Sequence, residues 1–266
     1  MAGQDRESLI LDAKRSNAKG MSVMANFLGE DIRDAAKADS QAREYFELQN
    51  VIASNGARGC VSVKLTQLGL GGEDTLAPHR LELLLANADC LGQFVWVDME
   101  SSAVTSSTLE IFRTALTRHG KIGVAVQAYL RRSEADVKTL LDVGAHIRLV
   151  KGAYREPREL IFQTRSEVSK SYLSLLGLLF DRGDGFAVGT HDSTLIEEAK
   201  RLAESRHVDF EFQFLKGIRD DLKEGLVKSG YRVSEYLPYG DSWLAYSKRR
   251  LSEHPSNFWL LVRSLI

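Results

Sequence analysis

Eight short apolar segments recur along this chain, each closing on a polar or ionisable residue and each followed by a stretch with helical spacing. In order they are Met21–Asn26, Cys60–Lys64, Phe94–Asp98, Ile122–Gln127, His146–Lys151, Phe186–His191, Asp209–Gln213 and Arg232–Tyr236. Parallel strands covered on both faces read as near-continuous apolar runs. In a closed parallel barrel their C-terminal ends open at one mouth, where catalytic side chains gather. The pattern therefore predicts an α/β chain folded as a (βα)8 barrel. Lys64, Asp98, Gln127, Arg148, Lys151, Thr190, His191 and Tyr236 would meet at its mouth. An open, doubly wound sheet is the alternative, because periodicity cannot count barrel closure.

The 266 residues suit one barrel domain, since such a barrel takes about 250. No low-complexity linker or shift in composition divides the chain, so 1–266 is expected to be a single domain, with 1–19 a lead-in helix before a break at Gly20. Helices are expected over about 30–54, 79–91, 105–119, 133–143, 159–182, 193–205, 217–229 and 241–252, with a last one at 256–265. Ser133 and Asp136 are spaced as a capping box, Asp192 or Ser193 can cap the helix after the sixth strand, and Gly230 stops the one before the eighth.

A net charge of −1 gives no global field to recruit nucleic acid. Cys60 and Cys90 form no CxxC pair and read as buried thiols of a reducing compartment. The first residues carry charge and no long apolar core, and no run of about 18 apolar residues occurs. The expected setting is the cytoplasm.

No glycine fingerprint for a dinucleotide follows a strand, and no phosphate-binding P-loop occurs. Gly69-Leu70-Gly71-Gly72 reads as a turn more readily than as a phosphate cradle. The six histidines are scattered, so no metal site is expected. The segment HIRLVKGAY is more telling. Strand alternation separates Arg148 and Val150 from Leu149 and Lys151. An inward Arg148 demands a partner, because an unpaired buried guanidinium is very costly. That partner is either an electron-rich cofactor or a carboxylate such as Asp98 or Glu211. Lys151 before Gly152 would suit a pyrophosphate. Farther on, Arg249 and Arg250 can grip a carboxylate, and Tyr246 lies near Arg249 on the same helical side.

Seven motifs in register, VSVKLTQLGL, VWVDMESS, GVAVQAYLRR, IRLVKGAY, GTHD, FEFQFLKGIRDDL and EYLPYGDSWLAYSKRRLSEHPSN, resemble the proline dehydrogenase family, from about Phe27 to the end of the chain. The resemblance implies a distorted (βα)8 barrel that holds FAD non-covalently, with the eighth helix over the mouth. It implies oxidation of L-proline to Δ1-pyrroline-5-carboxylate by hydride transfer to flavin N5. By motif, Asp98, Arg148 and Lys64 would be catalytic, with Arg148 beside N5. Lys64, Arg249 and Arg250 would hold the substrate carboxylate, and Tyr236 and Tyr246 would wall the ring. Met99 (through its backbone), Gln127, Arg148, Val150, Lys151, Gly152, Ala153, Thr190, His191 and Glu253 would bind the flavin. Tyr246 implies a preference for proline over hydroxyproline. A quinone acceptor, peripheral contact with the inner face of the membrane and a separate pyrroline-5-carboxylate dehydrogenase are further implied. Ser234-Glu235 depart from the family pattern and are expected to put a carboxylate near the barrel rim. The readings weighed against this one are a hydroxyproline dehydrogenase, a Schiff-base lyase using Lys64 or Lys151, and a binding module or degenerate barrel that keeps the flavin without turnover.

Overall fold

A computed structural model of the chain describes residues 3–73 and 75–240. Eight parallel strands close into a barrel in chain order. They are β1 (Ser22–Phe27), β2 (Gly59–Val63), β3 (Val95–Val97), β4 (Ile122–Gln127), β5 (His146–Val150), β6 (Phe186–Gly189), β7 (Phe210–Leu215) and β8 (Arg232–Tyr239). Closure rests on β1 pairing with β8, in register from Ser22 opposite Ser234 to Phe27 opposite Tyr239. That pairing rules out the open sheet. Helix α1 (Arg6–Ala18) precedes β1. Then α2 (Ala35–Ser54), α3 (Ala77–Leu91), α4 (Ser102–Leu116), α5 (Ser133–Asp142), α6 (Arg165–Arg182), α7 (Ser193–Ser205) and α8 (Asp220–Lys228) follow β1 to β7 in turn. The helices expected at 241–252 and 256–265 lie outside the described residues.

Alternation gives each strand two environments. Val61, Val63, Val95, Val97, Val124, Ile147, Leu149, Val188, Phe212 and Leu237 turn outward and pack with the helices into the main core. The inward set is different in kind: Ser62, Trp96, Asp98, Arg148, Gln213, Ser234 and Tyr236, with a small apolar cluster around Met24, Trp96 and Ala187. Barrels of this class are ordinarily filled by branched apolar side chains. A polar interior must therefore be satisfied by its own hydrogen bonds or by what the barrel binds.

Several local expectations are corrected. Helix α6 begins at Arg165 rather than near 159, after a short 3-10 turn (Arg158–Leu160), because Thr164 and Glu167 form a capping box there. Ser133 and Asp136 do not form one. Ser133 is the first residue of α5 and its hydroxyl donates to the Gln127 carbonyl at 2.6 Å, while Asp136 accepts from Arg132 at 2.7 and 3.0 Å. Asp192 caps α7 by accepting from the Thr194 N–H at 3.0 Å. Gly69-Leu70-Gly71-Gly72 is a turn: Gly72 N–H donates to the Gly69 carbonyl at 2.9 Å. Cys60 is half-buried, and burial pushes its thiol up to about 12. Cys90 is exposed, since the buried face of α3 runs through Leu81, Leu84, Leu85 and Ala88 and misses it.

Glu235 is not at the rim. The inward positions of β8 are Ser234 and Tyr236, so alternation sends Glu235 out into the helix layer. There it pairs with Lys223 of α8 and accepts from the Ser16 hydroxyl of α1 at 2.5 Å. Helix α1, capped by Asp5, also buries Leu9, Ile10 and Ala13. The lead-in segment is thus part of the barrel's outer layer.

Just beyond α4, His119 bridges two carboxylates of α3, with Nδ1 2.6 Å from Asp89 and Nε2 3.0 Å from Glu82. Arg118 also reaches Glu82, at 2.9 Å. Burial opposes the imidazolium, but the hydrogen bonds to Asp89 and Glu82 outweigh it and raise the pKa above the usual 6.5. Stability from a raised pKa is fully present below the unfolded-state value and is lost as the pH climbs through the folded one. His119→Gln should therefore cost about 1–3 kcal/mol near pH 5.5 in urea unfolding, and progressively less at alkaline pH. A cost independent of pH would contradict this.

Candidate active site

Asp98 stands immediately after β3 and is the hub of the barrel interior. Its Oδ1 accepts from Arg148 Nη1 at 2.6 Å and from the Ser62 hydroxyl at 2.7 Å, and its Oδ2 accepts from the Tyr236 hydroxyl at 2.7 Å. Ser62 also accepts from Arg148 Nη1 at 3.1 Å. One carboxylate thus ties β2, β5 and β8 together across the barrel.

Local sequence makes room for this. Arg148 is flanked in register by Ala125 on β4 and Ala187 on β6, so its long side chain can cross the interior. Its guanidinium lies over the Trp96 ring, 4.6 Å from the centroid, and 5.9 Å from that of Tyr236, within cation–π range. Nη2 contacts the Met24 sulfur at 3.2 Å. Gly123 on β4 is required by Trp96, whose ring would sit 2.4 Å from any added Cβ. The pair is enclosed, with side chains 6% and 13% exposed. Arg148 Nε, also buried, has no hydrogen-bond partner among the described residues. The carboxylate partner expected for Arg148 is therefore Asp98. Glu211 is engaged by Gln213 and, at 2.7 Å, by Ser234.

Lys64 lies at the same mouth but does not share Asp98. Its ammonium is 3.1 Å from the Glu30 carboxylate and 3.4 Å from the Gly29 carbonyl. On the β4–β6 side, Gln127 donates to the Glu100 carbonyl at 2.9 Å. Val150 ends β5, and Lys151 pairs with Asp192 at 2.7 Å. Burial opposes the Asp192 carboxylate, but Lys151 holds its pKa below the usual value. Gly152 has φ +109°, a conformation that favours glycine, and Ala153 follows it half-buried. The Thr190 hydroxyl accepts from the Asp192 N–H at 3.2 Å. His191 Nε2 accepts from the Leu215 N–H at 3.0 Å, which puts the neutral ring's proton on Nδ1. The Met99 side chain is buried in the outer core. Tyr246, Arg249, Arg250 and Glu253 lie outside the described residues.

Sequence reasoning missed Ser62, Glu30 and Glu100 as members of this constellation. Ser62 is two residues before Lys64 on the same inward face, so alternation alone could have named it. Glu30 is the ionisable residue following β1, an instance of the pattern that marked the other strands. Burial pushes the Glu100 carboxyl up, although the Thr66 hydroxyl and N–H donate to it at 2.6 and 3.1 Å; nothing in the sequence marks that burial.

The family model described as proline dehydrogenase matches residues 10–258. Proline dehydrogenase 2 of Bacillus subtilis (strain 168) is 34% identical over 260 residues, which cover 97% of this chain and 86% of that protein. Proline dehydrogenase of Deinococcus radiodurans is 35% identical over 275 residues, covering 100% and 88%. Among solved structures, proline utilization A from Bdellovibrio bacteriovorus, inactivated by N-propargylglycine, superposes with a TM-score of 0.89 at 26% identity. The match covers 98% of this chain and 33% of that longer one.

Removing Asp98 leaves a buried guanidinium without its counter-charge. Asp98→Ala should cost about 3–5 kcal/mol of folding stability in urea unfolding, and Tyr236→Phe only about 1–2 kcal/mol. Equal losses would contradict Asp98 as the hub.

Proposed function

This chain belongs to the proline dehydrogenase family, a family of flavin oxidoreductases, and on that premise we propose that it oxidises L-proline to Δ1-pyrroline-5-carboxylate using bound FAD. The observation that carries the FAD reading is Arg148. It is a buried cation fixed by Asp98 and Ser62 and stacked on Trp96, with Nε unpartnered among the described residues. A donor that the described residues leave unsatisfied in an enclosed site suits an electron-rich ring nitrogen. Gly152 and Lys151 add a close backbone approach and a cation on the same side of the mouth, as a diphosphate requires.

On this reading, Gln127, the Met99 backbone, Val150, Lys151, Gly152, Ala153, Thr190, His191 and Glu253 hold FAD. Bound FAD supplies the acceptor for a hydride from the ring carbon beside the proline nitrogen. Arg148 stabilises the negative charge that such chemistry develops. Lys64, Arg249 and Arg250 fix the substrate carboxylate, which orients the ring. Glu30 holds the Lys64 ammonium toward the mouth in the meantime. Tyr236, anchored by Asp98, and Tyr246 wall the ring. A phenol at position 246 crowds a 4-hydroxyl, which favours proline over hydroxyproline. Electrons then pass to a quinone, with peripheral contact at the inner face of the membrane, and a separate pyrroline-5-carboxylate dehydrogenase consumes the product. Among the described residues, no helix is long and apolar enough to cross a membrane. The Schiff-base lyase draws no support from the family.

The test is the absorbance of purified protein supplied with FAD, before and after anaerobic L-proline. A bound-flavin band near about 450 nm should bleach with L-proline and persist with trans-4-hydroxyproline. A bound flavin that L-proline leaves unbleached would overturn the substrate, and failure to bind FAD would overturn the cofactor. Arg249→Ala should raise the proline KM by at least about tenfold with a smaller change in kcat, as expected for a carboxylate grip. An unchanged KM would remove Arg249 from that role.

A further inference from the structure

The turn after β5 is held from outside by a residue that none of the site assignments includes. Tyr129, following β4, is buried and 7% exposed. Its ring lies flat against Gly152: a Cβ built on that glycine would come within 2.1 Å of Tyr129 Cδ1. The two strand ends continue their pairing beyond the barrel, with Ala128 N–H donating to the Val150 carbonyl at 2.8 Å and Tyr129 N–H to the Lys151 carbonyl at 2.9 Å. The Tyr129 hydroxyl reaches forward to the Tyr154 carbonyl at 3.3 Å and lies 3.5 Å from Glu156. Glu156 in turn accepts from the Ser102 N–H at 2.7 Å, and from its hydroxyl, at the start of α4. Farther along, Phe162 N–H donates to the Tyr129 carbonyl at 2.8 Å, beside a bridge between Leu130 and Ile161. Loops after β3, β4 and β5 are therefore lashed together around one aromatic ring.

We propose that Tyr129 is a positioning residue for FAD: its ring sets the shape of the Lys151–Ala153 turn, and it acts through that turn without entering the site. The inference rests on the FAD reading above. Position 152 is glycine for two separate reasons, the positive φ and the ring pressed on it. Only the second depends on Tyr129. The Asp98–Arg148 hub and the Glu30–Lys64 pair are built from other residues, so substrate handling should be insulated from Tyr129.

The test is the FAD dissociation constant of the full chain, read by flavin fluorescence, with KM and kcat for L-proline measured at saturating FAD. Tyr129→Ala should weaken FAD at least about tenfold, and Tyr129→Phe, which keeps the ring, by less than about threefold. Both should leave KM and kcat within about twofold of the original. Tyr129→Leu serves in place of the alanine variant if that one fails to fold. Gly152→Ala should weaken FAD less in the Tyr129→Ala background than alone, since the clash partner has gone. Unchanged FAD affinity in Tyr129→Ala, or strictly additive losses with Gly152→Ala, would overturn the proposal. If the unmodified chain itself fails to bind FAD, it is the cofactor reading that falls, and that outcome is separate from a Tyr129 variant binding FAD as well as the original.

Discussion

A guanidinium inside a protein costs several kcal/mol unless its charge is matched and its N–H groups are received. In this barrel the match is Asp98, and most of the interior is arranged around that one pair. Ser62 bridges it, Tyr236 completes the second carboxylate oxygen, and Trp96 lies under the cation. Around it, Ala125, Ala187 and Gly123 are small because the arginine and the indole occupy their space. A pair held this tightly fixes the guanidinium and its remaining Nε–H donor in place before anything binds. Catalytic stabilisation by such a prepositioned donor is effective because no reorganisation is needed at the moment of reaction.

The division of labour between the two faces of each strand lets one chain meet both demands. Outward side chains supply an ordinary apolar core and carry the stability. Inward side chains are thereby released from packing duty and can be polar. Charges that do point outward are neutralised locally: Glu235 has Lys223 and Ser16, and that contact also fastens the lead-in helix to the barrel. At the mouth, Lys64 and Lys151 are each held by a nearby carboxylate, Glu30 and Asp192, so pairing orders both the buried Lys64 and the more open Lys151.

The fold was legible because strand termini repeat one signal eight times, and because apolar runs followed by helical spacing leave few topologies open. Closure was not, since only the β1–β8 register decides it. Alternation separated Arg148 from Leu149 and Lys151, while its inward direction and its choice of Asp98 over Glu211 depended on the barrel's cross-section, which no local pattern encodes. Glu30 and Ser62 followed the same rules that exposed their neighbours and could have been named. Tyr129 could not: its importance comes from contact with Gly152, a residue on another strand end. The capping boxes show the limit of spacing rules, for Thr164–Glu167 forms one and Ser133–Asp136 does not, because Ser133 is the first residue of α5 and the N-cap position falls on Arg132.

The claim on which the account turns is that a pinned Arg148 cation acts on the cofactor's electron-rich ring. Its most direct test is the midpoint potential of bound FAD in an Asp98→Asn variant and in the Asp98→Asn, Arg148→Gln double variant, which differ only in the cation. The account predicts a shift to more negative potential of about 30 mV or more, a two-electron change of about 1.4 kcal/mol. A potential unchanged by that substitution would contradict it.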